Sequence, residues 1–363
     1  MPALVKPELM PWPQPKETEV PLDWAPLAVV DLSKWDTPGG KEELARDLTD
    51  AVRNMGFWVV TNTGLPQEAI DAQFALANTF FRLSPEEKNE VAFVDGKSTF
   101  GYRPPGLVKN TANKQNMEIV NLHKFTPGND IPRHKLIEMY RDEITAFQKL
   151  AWDNVITKLF ILLAIILELP EDHFSNMHLF DQASDDHIRF IKYQPRTGEE
   201  DKAVGDQWMA GHTDFGSITL LFPQPIAALQ VRTPENEWKW VKYVEGGIVC
   251  NAADLMSILT KGYIKSAVHR VVRPPPDQAH LERLGMFFFV RPTNSVRLTP
   301  SASPVLKREG LWTKEDDDID PEAAATCGEF IVARVQTFNM TRTPETMDNS
   351  VVRVGKIEVL NKY

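Results

Sequence analysis

Cysteine is almost missing from this chain of 363 residues: there are two, Cys250 in an apolar strand-like run and Cys327 in a helix-like one. Two such positions make no disulfide framework and suit a reducing compartment, so a cytoplasmic location is expected. Basic charge is also short. Forty lysines and arginines face fifty acidic residues, a formal charge of −10, which repels phosphate backbones and anionic lipid unless a local basic patch overrides it. No such patch is present, so neither nucleic acid nor a membrane is expected as a partner. Long hydrophobic runs are lacking too. The longest, residues 159–167, is too short to span a bilayer, and the N-terminal stretch MPALVKPELMPWPQPKETEVPLDW has no apolar core of signal-peptide length. No internal repeat occurs, and the acidic run KEDDDIDPE lacks the central glycine and ligand spacing of a calcium loop. Nothing in the sequence sets an oligomeric state.

What is present is enough apolar content, 42%, to bury a large core. Residues 1–26 read as a proline-rich arm that is flexible or wraps the surface. Residues 27–185 mix short β-like pieces (LAVVDL, GFWVVTN) with helices, among them SPEEKNEV, where Ser84 and Glu87 form a capping box. The segment EMYRDEITAFQKLAWDNVITKLFILLAIILEL reads as one long helix, amphipathic at first and then apolar all round, hence buried. After Asp186 the text changes to short β-rich runs: HIRFIKY, SITLLF, ALQVRT, WKWVKY, GIVCN, SAVHRVV and RLGMFFFV. Short strands without helices between them indicate an antiparallel sandwich or jelly roll over 186–295. Residues 296–363 give a loop, a C-terminal helix PEAAATCGEFIVARVQTFN with Asp320 as N-cap and Pro321 at its first position, and a tail. All four segments are expected to form one globular unit.

The candidate chemistry lies in GHTDFGSITLLF. Strand alternation would point His212 and Asp214 the same way. With His269, from another β-run of the same region, they would make a metal site of two histidines and one carboxylate, the arrangement suited to non-haem Fe(II) with open positions for oxygen. A His-x-Asp pair alone is weak evidence, and a strand histidine such as His269 is more often structural. The other histidines (His123, His134, His173, His178, His187, His280) have no spaced partner and read as structural or surface residues.

The order GHTDFGSITLLF, ALQV, WKWV, NAADLMSILTKGYIKSAVHRV, RLGMFFFV closely resembles the iron- and 2-oxoglutarate-dependent dioxygenases of the isopenicillin N synthase-like family. So do, upstream, LAVVDLS, AVRNMGFWVVTNTGLP, FFRLSPEEK and FGYRPPG, so that the likeness covers roughly residues 27–340. The resemblance implies a mixed, mainly β fold, a double-stranded β-helix (jelly roll) core flanked by α-helices. It implies that His212, Asp214 and His269 ligate Fe(II), that 2-oxoglutarate is cosubstrate with O2, and that Arg283 holds the distal carboxylate with help from Tyr193. The implied activity is oxidation of a C–H bond (hydroxylation, desaturation or a related outcome) of a small organic molecule, in secondary metabolism. Two departures stand out: YQP replaces YPP after Tyr193, and Gly285 replaces the serine of the family's R-x-S motif. By strand parity Arg283, Gly285, Phe287 and Phe289 share a face, so the glycine is expected to open space beside the arginine, with the phenylalanines as an apolar wall. Tyr102, Arg103 and Asn121 are further candidates for the substrate pocket. Gly285 leaves open an iron oxidase that does not use 2-oxoglutarate; a non-catalytic jelly-roll binding module is the remaining alternative.

Overall fold

In the computed structural model, which describes residues 6–93, 100–106, 116–129, 131–339, 348–354 and 357–362, the β-rich runs assemble into two facing sheets. The strands are β1 Ala28–Asp31, β2 Phe57–Thr61, β3 Gly101–Arg103, β4 Met117–His123, β5 His187–Tyr193, β6 Gln207–His212, β7 Ile218–Leu221, β8 Leu229–Arg232, β9 Trp238–Trp240, β10 Ile248–Ala252, β11 His269–Val272 and β12 Arg283–Val290. One sheet has the order β1-β2-β10-β7-β12-β5-β4-β3 and the other β6-β11-β8-β9. All these pairings are antiparallel except β1 with β2. The larger sheet takes β1 to β4 from before residue 186, so the N-terminal region extends the jelly roll edge to edge. A separate hairpin, β13 Asp348–Val354 with β14 Ile357–Lys362, follows.

The pleat decides which side chains meet the site. Even-numbered residues of the central strands, such as Phe190, Leu220, Met286 and Phe288, are buried in the main core against helices Gln67–Phe81 and Thr157–Ile166. Odd-numbered ones, such as Ile191, Tyr193 and Phe287, turn toward the second sheet and pack with Trp208 and Val271. A strand covered on both faces has no polar side to show. That is why LGMFFFV, after Arg283, reads as an unbroken apolar run.

The long helix runs over residues 141–166 with a π-helical turn at Trp152–Ile156, and its start is cut off as a separate helix, Lys135–Met139. The C-terminal helix begins later than the sequence suggests. Asp320 caps only the 3-10 turn Pro321–Ala323, with its Oδ1 3.0 Å from the Glu322 amide. The chain then extends and Thr326, exchanging hydrogen bonds with Glu329, starts the helix Cys327–Asn339; the reciprocal cap outcompetes the single one. From residue 6 on, the arm runs over the surface: Asn78 donates to the carbonyls of Met10 and Pro11, and Thr18 and Glu19 donate to Asp277. Among the described residues no helix is long and apolar enough to cross a membrane.

Candidate active site

β6 ends at His212, so Asp214 stands beyond the strand and alternation does not aim it. Hydrogen bonds do: Asp214 Oδ2 accepts from Thr219 Oγ1 at 2.7 Å and from Asn251 Nδ2 at 3.0 Å, leaving Oδ1 toward the imidazoles. His269 opens β11 opposite His212 in register. Nδ1 of His212 is 2.9 Å from the Ala210 carbonyl and Nδ1 of His269 is 3.1 Å from that of Ala267. A carbonyl only accepts, so each Nδ1 carries the proton and each Nε2 keeps its lone pair for a ligand. The two Nε2 atoms lie 3.9 and 3.8 Å from Asp214 Oδ1, and the three ligand atoms are all within 4.8 Å of one another. Two neutral imidazoles and one carboxylate converging from one side fit Fe(II) with open positions.

The electrostatics keep His212 and Asp214 in their metal-binding forms. Burial, with repulsion from His269, holds His212 below its ordinary value although Asp214 pulls the other way. Burial opposes the charge on Asp214, but His269 and His212, with the hydrogen bonds from Asn251 and Thr219, hold its carboxyl below the usual range. Behind the triad Asp254 Oδ1 accepts from Thr213 Oγ1 and from Ser266 Oγ, each at 2.6 Å, and its Oδ2 pairs with buried Arg334 at 3.1 Å. One carboxylate therefore grips both segments that bear the triad.

Arg283 lines the same cavity as the triad, pairs in register with Tyr193, and is 1% exposed. Its Nε and Nη1 have no hydrogen-bond partner among the described residues. A buried guanidinium without a counter-charge is costly, and its planar fork fits a carboxylate. Tyr193 is buried beside it, its hydroxyl meeting Met209 Sδ at 4.0 Å. The space expected at Gly285 is not open: a Cβ there would come within 2.8 Å of Phe287 Cε2 and 3.3 Å of Gln224 Nε2.

Phe287 and Phe289 line the cavity, their rings stacked 6.0 Å apart. Asn121 lies on the facing side of β4 and accepts at Oδ1 from Arg189 Nε at 2.7 Å. Arg103 is on the same sheet face by register with Ile119, its guanidinium over the Phe93 ring. Tyr102 is corrected as a pocket residue. One position out of phase, it points to the helical side, where its hydroxyl donates to Glu118 at 2.9 Å and its ring packs on Phe80.

Two groups escaped the sequence reading. Arg189 lines the cavity, sits over the Phe289 ring at 4.7 Å and holds Asn121 through its Nε. Burial lowers it to about 10 against the attraction of Asp214. The parity of HIRFIKY, with Arg189 in phase with Tyr193, was the available signal. The second is a cluster of His123, Asp185 and His187, whose ligand atoms also lie within 4.8 Å. These histidines lacked a partner in sequence because their partners come from the neighbouring strand: His123 is opposite His187, and its Nε2 is 2.7 Å from Asp185. Arg291 is ion-paired with Asp185, and Arg291 and Arg133 disfavour charge on His123, so this is a hydrogen-bonded cluster in a positive field.

Comparison with known proteins agrees with this geometry. Residues 27–141 match the family model for the N-terminal region of non-haem dioxygenases in morphine synthesis, and residues 184–292 match that of the 2OG-Fe(II) oxygenase superfamily. The chain is 30% identical over 330 residues to UPF0676 protein C1494.01 of Schizosaccharomyces pombe, covering 87% of this chain and 94% of that one. It is 30% identical over 271 residues to the 2-oxoglutarate-dependent dioxygenase tropC of Talaromyces stipitatus, covering 68% and 81%. Among solved structures, a full-length Neurospora crassa protein in complex with alpha-KG and thymine superposes with a TM-score of 0.73 at 23% identity, over 86% of this chain and 97% of that one.

Proposed function

Since the chain belongs to the isopenicillin N synthase-like family of 2OG-Fe(II) oxygenases, we propose that His212, Asp214 and His269 hold its iron and that Arg283, beside Tyr193, holds the distal carboxylate of 2-oxoglutarate. The protein is a non-haem Fe(II)- and 2-oxoglutarate-dependent oxygenase of a small organic molecule. When bound, the iron and 2-oxoglutarate supply oxidation by O2: 2-oxoglutarate becomes succinate and carbon dioxide, one oxygen atom entering succinate and the other being available to oxidise the substrate.

The chain's own contribution is position and environment. Ala210 and Ala267 fix the tautomers of the two histidines, and Thr219 and Asn251 fix the rotation of Asp214. Phe57, Phe287, Phe289 and Leu229 wall the cavity and keep water from the reacting carbon. Arg189, a guanidinium in the cavity lining, favours a substrate carrying an acidic group, with Asn121 setting the guanidinium plane and Phe289 its floor; Arg103 stands further along the same face. Secondary metabolism is the setting we favour. Net charge of −10 speaks against a polynucleotide; a free base is a small molecule to which that argument does not apply. Two buried, unpaired cysteines fit the cytoplasm.

The convergence of the three ligand atoms carries this reading. Its test is an anaerobic titration with Fe(II) and then 2-oxoglutarate, followed by the visible charge-transfer absorption of the chelate. The band should form with the parent protein and fail with His212→Ala, Asp214→Ala or His269→Ala while the fold is retained. A band of full strength in any of these variants would reject the ligand assignment.

A further inference from the structure

We propose that Gln224 replaces the hydroxyl missing at Gly285, its Nε2–H donating to the distal carboxylate of 2-oxoglutarate beside Arg283. This rests on the assignment of Arg283 above.

Gln224 lies three residues beyond the end of β7. Its Nε2 comes within 3.3 Å of the point where a side chain at position 285 would begin, on the inward face that also carries Arg283. The amide therefore stands where the family's serine would reach. Both its Nε2 and its Oε1 are buried, and neither has a hydrogen-bond partner among the described residues. Leaving both ends of a primary amide unpaired in the interior costs free energy that any apolar residue of the same shape would avoid. Nε and Nη1 of Arg283 are unpaired as well, and both residues line one surface recess. Two adjacent unpaired donor groups, one permanently charged, match a carboxylate with its two acceptor oxygens. Glycine at 285 then follows from the glutamine: a side chain there would meet the Gln224 amide and the Phe287 ring.

The test uses the full-length protein with Fe(II) under anaerobic conditions and two variants. Gln224→Met keeps length without the donor, and Gln224→Glu keeps shape but presents negative charge. The 2-oxoglutarate Kd, read from the charge-transfer band, should rise roughly 10- to 100-fold in Gln224→Met, the range of one hydrogen bond to a charged group. It should rise further in Gln224→Glu. A second readout separates binding from packing: without 2-oxoglutarate the Tm of Gln224→Met should equal or exceed the parent's, because an unpaired amide has been removed, while the gain in Tm on adding 2-oxoglutarate shrinks. A Kd within twofold of the parent's in Gln224→Met, or a lowered ligand-free Tm with an undiminished gain, overturns the inference and makes Gln224 a packing residue. A parent that forms no band at all would defeat the cosubstrate reading itself.

Discussion

Position 285 shows how a single residue is misjudged from a motif. Read alone, glycine in place of serine suggests a vacancy, into which a serine would fit. In the structure the Phe287 ring and Gln224 already fill it, so Gly285→Ser should overpack and cost about 1–3 kcal/mol of stability. We expect a lowered urea midpoint and weaker 2-oxoglutarate binding; a variant with unchanged midpoint and tighter binding would restore the vacancy. The triad proposed to hold iron could be picked out of the sequence because that chemistry demands particular residue types in a particular order. Arg189 and Gln224 were not, since neither belongs to a motif and each matters only through the register that places it. Arg189 carries its own prediction. If it anchors an acidic substrate, Arg189→Met should leave the iron–2-oxoglutarate band intact while abolishing the preference for carboxylic acids over their methyl esters in a thermal-shift screen of matched pairs. A screen of the parent in which esters bind as well as acids, or in which no acid binds, counts against that role.

At the scale of elements, β5 and β7 to β12 were legible as short β-rich runs between turns, whereas β6, whose QWMAGH is no apolar run, the hairpin β13–β14 and the position of the C-terminal helix were not. Its part in the site depends on Arg334, which is buried against Asp254, and nothing local in VARVQ announces an inward arginine. Asp254 in turn holds Thr213, between His212 and Asp214, and Ser266, three residues before His269. Burial already raises the Asp254 carboxyl above its ordinary value, with Arg334 opposing. Arg334→Met strands that charge, and breaking a buried pair typically costs about 3–5 kcal/mol. We expect a correspondingly lower stability in urea and weaker Fe(II) binding. The double variant Arg334→Met with Asp254→Asn should regain part of the stability without regaining the iron affinity. If Arg334→Met kept full iron affinity, the helix would be a cover and not a support of the site.

For the molecule as a whole, burying both faces of the large sheet drew histidines into the interior, and that makes acid its weak point. His178 is stacked 4.0 Å from Phe160 with both nitrogens hydrogen-bonded, to the Phe174 carbonyl and to Ser217 Oγ. Burial holds its pKa at about 3, and burial with the neighbouring Arg291 and Arg133 holds His123 at about 3; His187 is likewise held well below its ordinary value by burial first. The unfolded chain takes up these protons below the ordinary value of about 6.5, whereas the native chain refuses those of His178 and His123 until about pH 3. Between those limits the unfolded state binds more protons, so stability falls as pH falls, by about 1.4 kcal/mol per pH unit for each such histidine. Above pH 6.5 neither state is charged at these positions and the contribution is flat. With metal removed by chelator, the urea midpoint should therefore hold from pH 8 to 7 and drop steeply from 6.5 to 5. His178→Gln, which retains a donor for the Phe174 carbonyl, should reduce that slope by roughly one histidine's share. A midpoint that stays level from pH 6.5 to 5, or a slope in His178→Gln equal to the parent's, would mean that the buried imidazoles accept protons in place and that the interior around them is more polar than its packing implies.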